Sequence, residues 1–292
     1  MITPASDLVE RTRHLERPGG VRLVYRTLGA GTPVLLLHAT LSTGAQLEPL
    51  ARALAAGGDL ALLSVDRRGS GQSRVAIRRP LAVGTHVADL AAVLDEEGHE
   101  AAVLVGHSFG GVVALEFAAR QPRRTLAAVV YEPPYGPVAD EATRDGFAAV
   151  AAATERAGRR GGAAAAAEAF LRGVAGDAAW DTLSERRRSS VAGEGDGARA
   201  DASLRGLDPE GLRRIAVRTT LITGGGSEPF YVAIADALAG RIPTSRRVHL
   251  PDLRHSAPIT DPAPIAAAVL AELVTFGIVA STLRAPAQET SP

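Results

Sequence analysis

Short apolar runs alternate with stretches of helical periodicity along most of the chain. Apolar runs that fit strands buried on both faces occupy residues 33–38, 60–65, 103–105, 126–131 and 217–223. Residues 21–28 alternate apolar and polar side chains, and a further strand pattern covers 246–250. Apolar residues recur at helical spacing in 44–57, 81–97, 112–120, 229–239 and 262–276. This alternation predicts an α/β fold with a doubly wound, mostly parallel sheet.

One serine stands at a junction between a predicted strand and a predicted helix. The junction is Gly106-His107-Ser108-Phe109-Gly110, directly after the apolar run 103–105. Gly-x-Ser-x-Gly between a strand and a helix is typical of a nucleophile elbow, which lifts a serine hydroxyl above the sheet. A side chain larger than glycine at 106 or 110 would meet the neighbouring strand or helix. The alternative is a tight turn whose serine caps the helix.

With this motif in that setting, the chain resembles the α/β-hydrolase superfamily over about residues 21–276. The resemblance implies a hydrolase core formed by residues 1–134 and 215–280, with a helical cap at 135–214. Strand patterns vanish in the segment 135–214, where alanine, arginine and glycine dominate. Inside this segment, residues 193–197 fit a flexible loop. At the two ends of the chain, residues 1–20 fit a polar segment that leads into the fold, and residues 281–292 fit a disordered tail.

Composition excludes several kinds of chemistry. The 292-residue chain has no cysteine and no lysine, which rules out disulfides, thiolate nucleophiles and lysine Schiff bases. Its formal net charge of zero gives no reason to expect nucleic acid or an anionic membrane as partner. No histidine pair has metal-ligand spacing on a helix, so we do not expect a metal site. The N-terminus lacks the layout of a secretory signal and no run could span a bilayer, so a cytoplasmic location is expected.

A serine nucleophile needs a base and an acid. His255 follows the last predicted strand and precedes a long helix, which is where the resemblance places the base; the alternative is a histidine on a surface loop. His107 adjoins the serine, and the resemblance gives it no catalytic role. For the acid, the usual Gly-x-x-Asp turn ends in serine, at Ser227. Glu132, at the end of the strand 126–131, is the favoured replacement. Glu228 is the alternative, and with neither the enzyme would be a dyad.

Two backbone N–H groups are expected to form an oxyanion hole, those of Phe109 and Thr40. In the loop His38-Ala39-Thr40, alanine replaces the glycine of the family, which is tolerable if the backbone φ there is negative. The aromatic residues of the cap are candidates for lining the substrate, with stapling of the cap to the core as the alternative; they are Tyr135, Phe147, Phe170 and Trp180.

The resemblance therefore implies a cofactor-free serine hydrolase that acts on a small-molecule acyl substrate. The expected reaction is cleavage of a carboxylic ester, lactone or thioester through an acyl-enzyme. A carbon–carbon bond hydrolase or an acyl transferase would carry the same serine. A ligand-binding protein without catalysis is also compatible with the missing aspartate and with Ala39.

Overall fold

The structure is a computed structural model that describes residues 9–74 and 81–280. Over those residues the chain forms an eight-stranded sheet in the order β1-β2-β4-β3-β5-β6-β7-β8. The strands are β1 (Arg11–Arg17), β2 (Val21–Gly29), β3 (Thr32–Leu37), β4 (Leu60–Asp66), β5 (Ala102–His107), β6 (Thr125–Tyr131), β7 (Thr219–Gly224) and β8 (Ser245–Leu250). The β1–β2 and β2–β4 pairings are antiparallel. The remaining pairings are parallel; they are β3–β4, β3–β5, β5–β6, β6–β7 and β7–β8. The predicted fold class is confirmed.

Helices cover both faces of this sheet. One face carries α1 (Glu48–Gly57) and α10 (Pro262–Thr275), which follows the short α9 (Ala257–Thr260); the other carries α2 (Val83–Glu96), α3 (Phe109–Arg120) and α8 (Pro229–Ala239). In β3, Leu35 and Leu37 belong to the apolar core beside α2, α3 and α8, whereas Val34 and Leu36 belong to the core beside α1 and α10. Each central strand therefore needs apolar residues on both faces, which explains the continuous apolar runs in the sequence.

The first strand was missed by the hydrophobic pattern. Residues 1–20 were expected to be a polar approach, but Arg11–Arg17 forms β1 and pairs with β2 along its whole length. Most of its residues are exposed, because β1 lies at the edge of the sheet. Its arginines form ion pairs with α2 and with Glu97 just beyond that helix: Arg17 with Asp89 and Arg13 with Glu97. A charged edge strand has no apolar alternation to detect, and its charges discourage pairing with other chains.

The segment between β6 and β7 is helical. Its helices are α4 (Glu141–Ala175), α5 (Asp177–Asp181), α6 (Glu185–Ala192) and α7 (Gly195–Ala202). α4 is kinked at Gly162, where φ is 72°. The flexible loop expected at 193–197 is wrong, because α7 begins at Gly195. A Cβ on Gly195 would lie 1.7 Å from the Ala163 carbonyl oxygen, so the glycine serves close packing of α7 against α4.

The C-terminal tail and the possibility of a membrane-spanning helix were both addressed by the sequence. The tail expected to be disordered, 281–292, lies outside the described residues. Among the helices that the structure describes, none combines the length and the apolar character needed to cross a membrane.

Glu116 of α3 ties the two ends of the helical segment to the core. Its side chain is fully buried. One carboxylate oxygen accepts hydrogen bonds from the Tyr135 hydroxyl and the Asp208 N–H, and the other accepts one from Arg120. Burial, and then the hydrogen bond to Glu116, raises the pKa of Tyr135 well above its usual range, so this hydroxyl stays protonated and donates.

We expect Glu116→Ala to lower the free energy of unfolding by about 3 kcal/mol or more, because it leaves the buried Tyr135 hydroxyl and Asp208 N–H without an acceptor. Glu210→Ala is the matched control, since Glu210 forms an exposed ion pair with Arg213; we expect it to cost less than about 1 kcal/mol. Urea unfolding monitored by circular dichroism measures both. Similar losses in the two variants would contradict this role for Glu116.

Candidate active site

The chain makes its sharpest turn at Ser108, between β5 and α3. The Ser108 backbone has φ 53° and ψ −123°, a conformation that L residues rarely adopt. A Cβ on Gly106 would lie 2.6 Å from the Gly111 Cα, and one on Gly110 would lie 2.2 Å from the Leu37 carbonyl oxygen. The predicted need for glycine on both sides of the serine is therefore met in the structure. This geometry places Ser108 at the carboxyl edge of the sheet, 8% exposed.

The structure brings Glu132 and His255 together at the same edge. Glu132 directly follows β6, with a left-handed φ of 48° and a fully buried side chain. Its Oε2 accepts a hydrogen bond from His255 Nδ1 at 2.7 Å. Its Oε1 accepts one at 2.7 Å from the Gly224 N–H at the end of β7. The imidazole is held in the tautomer with a proton on Nδ1, which leaves Nε2 unprotonated, with the lone pair that a base requires.

Ser227 occupies the position at which the Gly-x-x-Asp pattern has its aspartate, and it contacts Glu132. Its hydroxyl donates to Glu132 Oε2 at 2.9 Å. Glu228, the alternative acid, is exposed and forms the N-terminal cap position of α8. The structure therefore places the carboxylate of Glu132, and not that of Glu228, against His255.

Two neighbouring side chains hold the loop that carries His255. His107 Nε2 donates to the His255 carbonyl oxygen at 2.7 Å, and the Tyr131 hydroxyl donates to the Arg254 carbonyl oxygen at 2.9 Å. Burial, followed by the charge on His255, holds the pKa of His107 well below its usual range, so His107 stays neutral. No catalytic role was predicted for His107. In the structure it supports the loop that carries His255, a contact that the sequence pattern did not reveal.

Tyr231 of α8 was also missed. Its ring stacks on the His255 ring, with the centroids 4.4 Å apart and the planes at 12°. Its hydroxyl lies 3.2 Å from His255 Nε2. Phe230 and Phe147 continue the contact away from His255, at centroid distances of 4.2 and 5.6 Å. In a chain with 4% aromatic residues, the adjacent pair Phe230-Tyr231 was the available signal.

The other predicted aromatic residues lie in different surroundings. Tyr135 is fully buried and bonds to Glu116, which fits the stapling alternative. Trp180 packs in a small apolar cluster with Ala167 and Val191. Phe170 is half-buried in α4. Of the four, Phe147 is the one that the described contacts connect to His255.

The loop after β3 faces the elbow from the other side. His38 is fully buried, and burial, followed by the charge of Arg67, holds its pKa well below the usual range. The neutral ring donates from Nδ1 to the Ala39 carbonyl oxygen and accepts at Nε2 from the Arg67 N–H. Among the described non-glycine residues, positive φ occurs at Leu41, Ser108 and Glu132, so Ala39 needs no strained backbone. Phe109 is the first residue of α3, and its N–H therefore has no partner within the helix.

Carboxylate and imidazole side chains are the charged or strongly binding metal ligands that this chain offers, since cysteine is absent. Over residues 9–74 and 81–280 the structure groups no three such side chains in a way that could hold one.

Comparison with known proteins gives a consistent family. The sequence profile described as the alpha/beta hydrolase family matches residues 34–268. Lipase LipV of Mycobacterium tuberculosis is 36% identical over 100 residues, which is 34% of this chain and 36% of that protein. The chain thus aligns with well under half the length of this curated relative.

Solved structures match over far more of the chain. An alpha/beta hydrolase from Sphaerobacter thermophilus superposes with a TM-score of 0.71 and 27% identity, covering 89% of this chain and 99% of that one. A thermophilic esterase from Thermogutta terrifontis gives a TM-score of 0.74 at 23% identity, covering 91% and 99%. At that lower identity the likeness extends to the fold alone.

Three buried histidines near the elbow make stability depend on pH. Burial, followed by the charges of Arg67 and Arg68, lowers the pKa of His86 to about 3. Burial also lowers the pKa values of His38 and His107. A histidine in the unfolded chain titrates near pH 6.5. As the pH falls below that value, these histidines bind protons in the unfolded chain but stay neutral in the folded chain, which favours unfolding. The stability of the fold is thus retained above about pH 6.5 and lost progressively below it.

We expect His86→Gln to flatten this loss. One histidine that stays neutral when folded contributes about 1.4 kcal/mol per pH unit, so its removal should reduce the decline between pH 6.5 and 5 by about 2 kcal/mol. Urea unfolding at a series of pH values measures the slope, which does not depend on the constant packing cost of the substitution. His14→Gln is the control, because His14 is exposed on β1. A His86→Gln slope equal to that of the native chain would contradict the buried, neutral state.

Proposed function

The chain belongs to the alpha/beta hydrolase family, and from that premise we propose that it is a serine hydrolase that cleaves a carboxylic ester, lactone or thioester. The observation that carries the proposal is the 2.7 Å contact between Glu132 and His255, at the same edge of the sheet as the Ser108 elbow. A strained serine, a histidine with a fixed tautomer and a buried carboxylate are the parts that acyl transfer to serine requires.

Ser108 Oγ attacks the carbonyl carbon, and its proton passes to His255 Nε2. Glu132 faces the opposite ring nitrogen, so its charge stabilises the imidazolium that forms. The tetrahedral intermediate then collapses, the bond to the leaving group breaks, and the leaving oxygen or sulfur takes the proton from Nε2. Water repeats the sequence with His255 as base, which releases the acid and restores Ser108.

The oxyanion of each tetrahedral intermediate is assigned to two backbone donors, the N–H groups of Phe109 and Thr40. The first is supported by its place at the N-terminus of α3, where the N–H is unpaired and the helix dipole favours negative charge. Removing one such donor from a serine hydrolase costs on the order of 10²- to 10³-fold in kcat.

The helical segment 135–214 is proposed as a cap over this site. Phe147, Phe230 and Tyr231 form an aromatic row that ends at His255, and we assign to it one wall of the pocket for a small acyl substrate. Tyr231 also has its hydroxyl beside Nε2, the atom that exchanges the proton with the leaving group. Burial raises the pKa of this hydroxyl far above its usual range, so it acts as a hydrogen-bond donor.

The proposal is tested by intact-mass analysis after treatment with a fluorophosphonate probe, together with hydrolysis of p-nitrophenyl acetate and butyrate. We expect one adduct on the native protein and none on Ser108→Ala. Glu132→Gln should lower both the labelling rate and kcat by about 10³- to 10⁴-fold, because the imidazolium loses its counter-charge and the tautomer is no longer fixed.

Glu228→Gln is the matched control, with the same chemical change at the neighbouring exposed carboxylate, and it should label at the native rate. A loss confined to Glu228→Gln would move the acid there. An adduct without ester turnover would favour acyl transfer or carbon–carbon cleavage, and no adduct at all would favour a binding protein without catalysis.

A further inference from the structure

We propose that Asp201, in the helical segment outside the core, is a positioning residue for the oxyanion hole. Acting through Arg67 and Thr40, it fixes the loop that supplies one of the two N–H donors. The inference rests on the proposed serine hydrolase function, and it assigns to the helical segment a part in the chemistry as well as in covering the site.

The pair formed by Arg67 and Asp201 is almost completely removed from water, with exposures of 2% and 7%. It is bidentate, with Nη1–Oδ1 and Nη2–Oδ2 distances both of 2.9 Å. A buried ion pair of this kind gains little net stability over apolar side chains of similar volume. The pair does fix the orientation of the Arg67 side chain, because the planar guanidinium can satisfy its remaining donors in one orientation only.

Those remaining donors bind the loop after β3. Arg67 Nε donates to the His38 carbonyl oxygen at 3.1 Å, and Nη2 donates to the Ala39 carbonyl oxygen at 3.3 Å. The Thr40 hydroxyl donates to Asp201 Oδ2 at 2.8 Å. Three consecutive residues of the loop are thereby held by the one ion pair, and the last of them carries a proposed oxyanion donor.

The same guanidinium also contacts the second proposed donor residue. Its central carbon lies 4.7 Å from the centroid of the Phe109 ring, in cation–π contact. Arg67 therefore contacts Phe109 directly and Thr40 through Asp201, and the N–H groups of these two residues are the ones proposed to converge on one oxygen. A change in its direction would alter both sides of the hole together.

An apolar contact ties the loop to the helical segment as well. Leu41, the next residue, has a left-handed φ of 59°. Its side chain packs against the small cluster formed by Ala167, Trp180 and Val191 of that segment. The loop after β3 is thus attached to the helical segment at two adjacent positions, one through polar and one through apolar contact.

The position of Asp201 is itself fixed by close packing of α7 on the core. A Cβ on Gly197 would lie 2.7 Å from the Ser70 hydroxyl oxygen and 3.0 Å from the Gly69 carbonyl oxygen, so glycine here allows close packing of the helix on the turn 67–73 that follows β4. Just before α7, the buried Glu194 accepts a hydrogen bond from the Gly71 N–H at 2.9 Å. Arg67 begins the same turn, so these contacts bring α7 and its Asp201 close to Arg67.

The test compares Asp201→Asn with Asp196→Asn in steady-state hydrolysis of p-nitrophenyl butyrate. Asp196 lies on the same helix in an exposed ion pair with Arg199, which makes it the matched control. We expect Asp201→Asn to lower kcat on the order of 10- to 100-fold with KM changed less than about twofold, because a displaced donor acts on the transition state. Affinity for a boronic acid that forms a tetrahedral adduct should fall by a similar factor. The apparent pKa of the kcat/KM profile should stay unchanged, since Glu132 and His255 are intact.

A double variant, Arg67→Met with Asp201→Leu, separates positioning from stability. We expect this variant to melt at a lower temperature, because the His38 and Ala39 carbonyl oxygens and the Thr40 hydroxyl lose their partners. At an assay temperature well below its melting transition, where it is fully folded, kcat should still be low because the loop has lost its anchor. Recovery of native kcat in the double variant, or native kinetics in Asp201→Asn, would overturn the inference. An unlabelled and inactive native protein would instead show that the serine hydrolase function itself is wrong.

Discussion

Glu132 carries a carboxylate fully shielded from water at the point where the ends of three strands meet. Such a group is tolerated only where hydrogen bonds surround it, and its oxygens accept them from the Gly224 N–H, the Ser227 hydroxyl and His255 Nδ1. The loops after β7 and β8 must therefore both close toward the end of β6. A left-handed backbone at Glu132 aims the side chain at them. The orientation of the candidate base follows from this one buried charge.

A second buried charge, on Arg67, organises the opposite side of Ser108. It helps to keep His38 and His86 neutral, and a neutral His38 can accept at Nε2 while donating from Nδ1 within its own loop. Asp201 balances the charge from outside the core. The serine thus lies between two separate polar networks, one that orients His255 and one that holds the loop after β3. At low pH, protonation of the buried histidines would disturb both networks.

The sequence-based errors share a physical origin. The strand β1 escaped detection because an exposed, charged edge has no apolar alternation, and it is identified only by its pairing with β2. The helix α7 was taken for a loop because glycine disfavours helices in isolation, whereas here Gly195 and Gly197 allow close packing. Tyr231 gave no periodic or motif signal, and only folding brings it against His255. Local propensity is a weak guide wherever tertiary contact decides the conformation.

Through the resemblance the sequence singled out His255 as the candidate base, and by itself it determined the alternating α/β architecture and the elbow at Ser108. Those features depend on local patterns: apolar runs that need two buried faces, glycines that permit a tight turn, and the order of strands and loops. It favoured Glu132 as the acid, but left Glu228 open. Only the tertiary structure decided which carboxylate meets the histidine, that Ser227 donates to that carboxylate, and that Arg67 pairs with Asp201. These contacts join residues 95 to 134 positions apart, and no local pattern encodes the direction in which a folded chain brings such distant side chains together.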